Sequence, residues 1–354
     1  MAKALAVCCD GTWNTADQAG GPTNVTKMAR AILPVAADGS PQIVYYDEGV
    51  GVGNFIERAV GGALGSGLSE KVQQAYRFCC LNYEPGDSIL LFGFSRGAFT
   101  VRSLAGLIGL VGLLRKGDLE YLPDIWKLYR TVPAKRSGLP DPQWKEARQP
   151  NIDLVGVWDT VGSLGIPGNF LGGLGRQRHA FHDVRLTAKT LRAYHALAID
   201  ERRKNFAPTI WDTNNLAKGQ IVEQRWFAGV HSNIGGGYVD RVLSDIAFLW
   251  MCDKIGSLLA LDQGYLQSRV RHVADGMAEG ELVDSSAGLK WRLLGKLDRI
   301  LGMDRSEDVH PTAIARYRVG RARHDAAPYA PFPYDPANMR AFLDRVRPGW
   351  DSAP

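Results

Sequence analysis

Three residue types, at three places, could together carry out nucleophilic chemistry. The first is Ser95, in Gly93-Phe94-Ser95-Arg96-Gly97. Residues 88–94 form a short apolar strand pattern, and a helix pattern follows at once from 96. Strand, Gly-x-Ser-x-Gly and helix is the order a nucleophile elbow needs. The turn is tight enough that the positions flanking the serine must be nearly free of side chain, which Gly93 and Gly97 satisfy. The serine then projects over the first turn of the next helix, where N–H groups can hold a developing oxyanion. The second residue is Asp159, at the end of the strand pattern 151–158, on the sheet edge that would carry Ser95. A triad acid belongs there to hold the histidine's tautomer; the plainer reading is an Asx cap for the next turn. The third is His231, directly after the strand pattern 222–230, which completes the order Ser, Asp, His. His310, in Val309-His310-Pro311-Thr312, is the alternative base, and reaches the site only if the C-terminal helices fold back across the sheet edge. The N–H of Arg96 is the first oxyanion donor, with Gly11 or Thr12 as the second.

The elements that must position these residues follow from the pattern. Residues 4–9 form a continuous small-apolar strand of the kind buried on both faces of a parallel sheet. It ends in Asp10-Gly11-Thr12-Trp13-Asn14. That string invites comparison with phosphatases of the haloacid dehalogenase type, but Cys8 stands where their nucleophilic aspartate would be. A strand at 42–46 and helices at 24–33, 69–83, 118–129 and 245–255 are expected from hydrophobic spacing. Residues 49–67 are glycine-rich and read as a loop near the site; they lack both the third glycine of a dinucleotide loop and the Gly-Lys-Ser or Gly-Lys-Thr of a phosphate loop. Residues 160–205 read as glycine-rich and helical cap material, with His195 on a helix and 200–203 forming local ion pairs. The sheet reads as complete before residue 265.

Composition narrows the class. Of 354 residues, 45% are hydrophobic and 22% charged, with a formal net charge of +5: an ordinary globular protein. The late basic residues Arg269, Arg271, Arg292, Lys296, Arg299, Arg316, Arg318, Arg321 and Arg323 read as a solvated face. The five cysteines lack a Cys-x-x-Cys spacing and sit in apolar patterns, which excludes a zinc knuckle and points to buried free thiols of a reducing compartment. The N-terminal apolar run is too short for a secretory signal, and the longest uncharged run, 103–114, is too short to span a bilayer. The expected location is cytoplasmic as made, with export by a signal-independent system left open.

Taken together, residues 9–14, 93–98, 158–163, 195–203 and 229–238 resemble the α/β-hydrolase family that includes the catalytic domain of type VI secretion phospholipase effectors. The resemblance runs from about residue 3 to about residue 320. It implies an α/β-hydrolase-like fold: a mostly parallel central sheet flanked by helices, with loop and helix cap insertions. It also implies a Ser-Asp-His triad and action on carboxylic esters of lipids. Asn233 departs from the pattern, since an aspartate is common there, and the long membrane-docking extension of the large effectors is missing. The expectation is a core over 1–265 with a cap around 160–205, and a helical, proline-rich segment over 266–354 packed on it. The expected activity is that of a serine esterase or lipase acting on a lipid or small-molecule ester. No cofactor, metal or nucleic acid is expected, and any contact with a membrane surface would be transient. The rival is a binding protein on a hydrolase scaffold without turnover.

Overall fold

A computed structural model of the chain describes residues 2–11, 20–49, 64–131, 135–136, 147–161, 186–276, 280–286, 295–319, 322–324 and 327–351. The strands are β1 (Ala4–Cys9), β2 (Gln42–Asp47), β3 (Ser88–Phe94), β4 (Leu154–Trp158), β5 (Arg192–Ala198), β6 (Ile221–Phe227), β7 (Glu281–Leu282), β8 (Glu307–Val309), β9 (Ala322–His324) and β10 (Ala327–Phe332). The helices are α1 (Asn24–Ala31), α2 (Leu64–Asn82), α3 (Arg96–Val111), α4 (Leu122–Arg130), α5 (His231–Gly235), α6 (Val242–Ile255), α7 (Gln263–Gly276), α8 (Pro311–Val319) and α9 (Ala337–Val346).

The main sheet runs β2-β1-β3-β4-β5-β6-β8, and every pairing in it is parallel. The fold is α/β. Strands β1, β3 and β4 read as unbroken apolar runs because helices cover both faces. Side-chain alternation divides β1 between two cores. Leu5, Val7 and Cys9 pack with Val72, Tyr76 and Cys79 of α2 and with Leu104 and Leu107 of α3. Ala4, Ala6 and Cys8 face the other way, toward Val25 and Met28 of α1 and Phe248 and Met251 of α6. All five cysteines are buried free thiols. Among the described residues no helix is long and apolar enough to cross a membrane.

The elements depart from the sequence expectation at several points, among them the start of α2, whose first residues from Leu64 lie inside the loop expected over 49–67. Residues 192–198, including His195, form a central strand rather than a helix, hydrogen-bonded to β4 and β6. The sheet is not complete before residue 265: β8 adds a parallel strand beside β6, pairing Gln224, Arg225 and Trp226 with Glu307, Asp308 and Val309. The single helix expected over 118–129 is a 3-10 turn, Lys116–Tyr121, followed by α4. Pro123 sits at the start of α4, where its missing N–H costs nothing, so the helix restarts there. A small second sheet, β10-β9-β7, joins two strands that follow β8 to one that precedes it, and α9 seats Met339, Phe342 and Leu343 in the α1 and α6 core. Of the expected cap, residues 162–185 lie outside the described residues, as do 50–63 of the glycine-rich loop.

Candidate active site

Ser95 stands between β3 and α3 with φ 57° and ψ −119°. A non-glycine residue with positive φ costs about 1–3 kcal/mol and persists only where its surroundings hold it. Those surroundings are visible. A Cβ on Gly93 would lie 2.6 Å from the Ala98 Cα, and one on Gly97 would lie 2.0 Å from the Cys9 carbonyl oxygen. The end of β1 therefore presses directly on the first turn of α3. The Ser95 N–H donates to the Trp158 carbonyl of β4 at 3.0 Å. Its hydroxyl makes no capping bond to the helix it precedes.

That hydroxyl lies 2.8 Å from His231 Nε2, and His231 Nδ1 lies 2.5 Å from Asp159 Oδ2. Asp159 also has a positive φ, 41°; among the described residues these two are the non-glycine positions with that conformation. Both follow a strand's C-terminal end, and both ends face the same edge of the sheet. His231 opens the short helix α5, and its N–H donates to Glu201 Oε2 at 3.2 Å. The imidazole lies between Phe94, at 4.7 Å between centroids, and Phe206, edge-on at 4.9 Å. These contacts fix the ring's plane while leaving both nitrogens to the polar partners.

Asp159 is fully buried and wholly hydrogen-bonded. Oδ1 accepts from the Ala198 N–H at 3.0 Å and from Arg299 Nη1 at 2.5 Å; Oδ2 accepts from Arg299 Nη2 at 2.9 Å besides meeting His231. Burial alone would raise this carboxyl, but the Arg299 guanidinium and the His231 hydrogen bond outweigh it and hold it well below the usual carboxylate range. The sequence places Arg299 among the residues of a solvated basic face. It is instead buried, and Arg316 is buried as well. Glu201 and Arg203, read as a local ion pair, do pair at 2.8 Å. Glu201 also carries the backbone of His231, and Arg203 lies over the Phe206 ring at 3.6 Å.

The remaining sequence candidates fall as follows. His310 ends up beside β6, stacked on Phe227 at 4.5 Å, with Nδ1 bonded to Thr312 Oγ1 at 2.8 Å. Burial pushes it down to about 4, helped by Arg225 and Lys254. His195 is fully buried in β5, where Nε2 accepts from the Thr160 N–H at 3.0 Å; burial and then Arg102 push it down to about 3. Gly11 gives its N–H to the Asp10 carboxylate at 2.7 Å, so it is already spent as a donor. Thr12 lies outside the described residues. The Arg96 N–H opens α3 directly beside Ser95. Asn233 holds the loop around His231: its Oδ1 accepts from the Val230 N–H at 3.2 Å, and its Nδ2 donates to the Glu281 carbonyl of β7 at 3.0 Å. Asp10 is occupied by Thr23, Thr26 and Tyr46 hydroxyls and is a buried structural acceptor. Among the described residues no cluster of three or more His, Cys, Asp or Glu could hold a metal ion.

Residues 3–254 match the family described as T6SS, phospholipase effector Tle1-like, catalytic domain. The chain belongs to this family. It is similar to the uncharacterized protein YEL023C of Saccharomyces cerevisiae, 29% identical over 58% of this chain and 32% of that one. Two solved structures resemble it. One is an uncharacterized protein from Pseudomonas aeruginosa, with 16% identity, a TM-score of 0.44, and coverage of 77% of this chain and 48% of that one. The other is the Tle1 effector bound to the VgrG spike of the type 6 secretion system, with 21% identity, a TM-score of 0.39, and coverage of 67% and 51%. The chain thus spans about a third of the yeast relative and about half of each solved chain. In this Tle1-like chain, Ser95, Asp159 and His231 all fall within the matched residues, whereas Arg299 lies beyond them.

Proposed function

We propose that this Tle1-like chain hydrolyses carboxylic esters of lipids, with Ser95 as nucleophile, His231 as general base and Asp159 as the acid that orients it. One observation carries the reading: an unbroken line of hydrogen bonds from Ser95 Oγ through both nitrogens of His231 to a buried carboxylate. Membership of a phospholipase effector family supports lipid as the substrate class.

The line has one productive proton arrangement. His231 Nδ1–H donates to Asp159, so Nε2 is the acceptor and takes the Ser95 proton as Oγ attacks the ester carbonyl. The Oγ–carbon bond forms, the carbonyl oxygen becomes an oxyanion beside the Arg96 N–H, and His231 becomes imidazolium opposite an ionised Asp159. His231 Nε2–H then gives its proton to the leaving alkoxide, and water repeats the sequence on the acyl-enzyme.

A fluorophosphonate probe and a panel of p-nitrophenyl esters and phospholipid vesicles test this. The chain should be labelled and turn over esters, and Ser95→Ala should lose labelling and, on the order of 10⁴-fold, turnover. A chain that binds lipid but is neither labelled nor active would be the non-catalytic scaffold instead, and a folded Ser95→Ala with unchanged turnover would remove the serine from the chemistry.

A further inference from the structure

We propose that Arg299 is a positioning residue of the triad, a guanidinium clamp that the C-terminal part of the chain delivers to Asp159. The proposal rests on the triad reading above and adds to it a residue from outside the family match.

The geometry is a two-pronged fit. Nη1 reaches one carboxylate oxygen and Nη2 the other, at 2.5 and 2.9 Å, and the two side chains are 3% and 0% exposed. A planar fork against a planar carboxylate fixes the rotation of that carboxylate as well as its place, which a single point charge cannot do. The clamp is itself fixed. Nη1 also donates to the Ala198 carbonyl at 2.9 Å and Nη2 to the Phe206 carbonyl at 2.6 Å. The Arg299 carbonyl accepts from Asn338 Nδ2 of α9 at 3.2 Å, and the same amide group donates to the Ile199 carbonyl at 3.0 Å. Arg299 therefore ties together the end of β5, the loop carrying Phe206, and the acid. Phe206 in turn walls one side of the His231 ring.

The orientation matters because Asp159 Oδ2 must lie in the plane of the imidazole to keep the proton on Nδ1. Asp159 has a positive φ, a backbone conformation that persists only where the surroundings hold it, and its carboxylate is held by its partners. Three groups hold it: the Ala198 N–H, His231 and Arg299. Removing Arg299 takes away both prongs and leaves one oxygen with a single neutral donor. The charged and titratable groups facing the pair are then His231 itself, His195 in β5, and Glu201 with Arg203 behind the base. None of them supplies a second positive charge to the buried carboxylate at neutral pH except a protonated His231. Burial then acts on Asp159 with less opposition, and the carboxyl takes up a proton nearer the working range.

The test uses Arg299→Met and Arg299→Lys in the full chain, with the unfolding transition recorded for each. Ester turnover against pH and the low-field proton signal of the His231 Nδ1–H are the readouts. Arg299→Met should lower kcat about 100-fold with KM little changed, move the acid limb of the kcat profile to higher pH and shift the proton signal. Arg299→Lys keeps the charge but not the fork and should recover about 10-fold of that loss. Should Arg299→Met fail to fold, Arg299→Lys decides: a lowered kcat with a shifted proton signal supports the clamp. Either variant, folded, with the kcat, pH profile and proton signal of the unsubstituted chain would overturn it. So would a loss confined to KM. Should the unsubstituted chain show neither labelling nor turnover, the hydrolase reading fails, while the proton signal of the two variants still reports the clamp.

Discussion

His231 and His310 compete for one role, and contact geometry separates them. His231 Nε2 lies 2.8 Å from the Ser95 hydroxyl, whereas the His310 ring is stacked on Phe227 and bonded to Thr312. His231→Ala should therefore abolish fluorophosphonate labelling of Ser95, because the hydroxyl then keeps its proton and stays a weak nucleophile. His310→Ala should keep labelling and lose about 1–2 kcal/mol of stability from the stacked ring. The reverse pattern would move the base to His310. At this scale the meeting of Ser95, Asp159 and His231 was legible because each directly follows a strand pattern, and the strand ends of a parallel sheet share an edge. Arg299 was not legible. Leu297-Asp298-Arg299-Ile300 carries no motif, and its arginine is chemically the same letter as the exposed ones around it. Only the fold shows that this one is buried on a carboxylate. Glu201 was half legible: its pairing with Arg203 follows from spacing, but its bond to the His231 backbone does not.

At the scale of elements, the tight turn at Ser95 is possible because β1 and α3 touch with no side chain between them. Gly97 at this contact and Gly67 away from it, in α2, bear unequal loads, which a pair of substitutions can measure. A Cβ on Gly97 would meet the Cys9 and Asp10 carbonyl oxygens at 2.0 and 2.5 Å, and neither β1 nor α3 can retreat without breaking the sheet or moving Ser95. Gly97→Ala should cost about 3 kcal/mol in urea unfolding. Gly67, in the helix α2, has nothing within 4 Å of where its Cβ would be, so Gly67→Ala should stabilise by about 0.5–1 kcal/mol through helix propensity. Equal effects at the two sites would mean that the elbow tolerates a side chain and that the close approach is not what selects glycine there. The strands β1, β3 and β4 were legible as long apolar runs. Strand β5 was not, because Arg192, Tyr194 and His195 break the apolar run and their spacing also fits a helix. Strand β8 is three residues long and joins β6 by backbone pairing, so its side chains leave almost no pattern to read.

At the scale of the whole molecule, the C-terminal part is woven into the site. It supplies Arg299, the strand β8, and Tyr334, whose hydroxyl donates to Asp200 Oδ2 at 3.1 Å. Asp200 also accepts from the Gly229 N–H at 2.6 Å, so one carboxylate joins the end of β5, the turn before His231 and the C-terminal segment. Burial pushes this carboxyl up to about 6, against the pull of Gly229, Tyr334, Arg316 and Arg202. The sign follows from linkage. A carboxyl whose folded value is raised binds more protons folded than unfolded between its two values, so its contribution is full below about 4 and is lost as pH rises through about 6. Asp159 acts in the opposite sense. Its folded value is depressed, so its contribution is present above about 4 and is lost only as pH falls through the lower folded value. The two windows do not overlap. Asp200→Asn keeps an oxygen for Gly229 and Tyr334 but cannot titrate. Relative to the unsubstituted chain it should gain about 2 kcal/mol between pH 4 and pH 7, a figure trimmed because the residue keeps some surface open to solvent. Urea unfolding of both proteins at pH 4, 5, 6 and 7 measures the difference, and parallel stability curves across that window would show that Asp200 is not the group whose ionisation strains the junction.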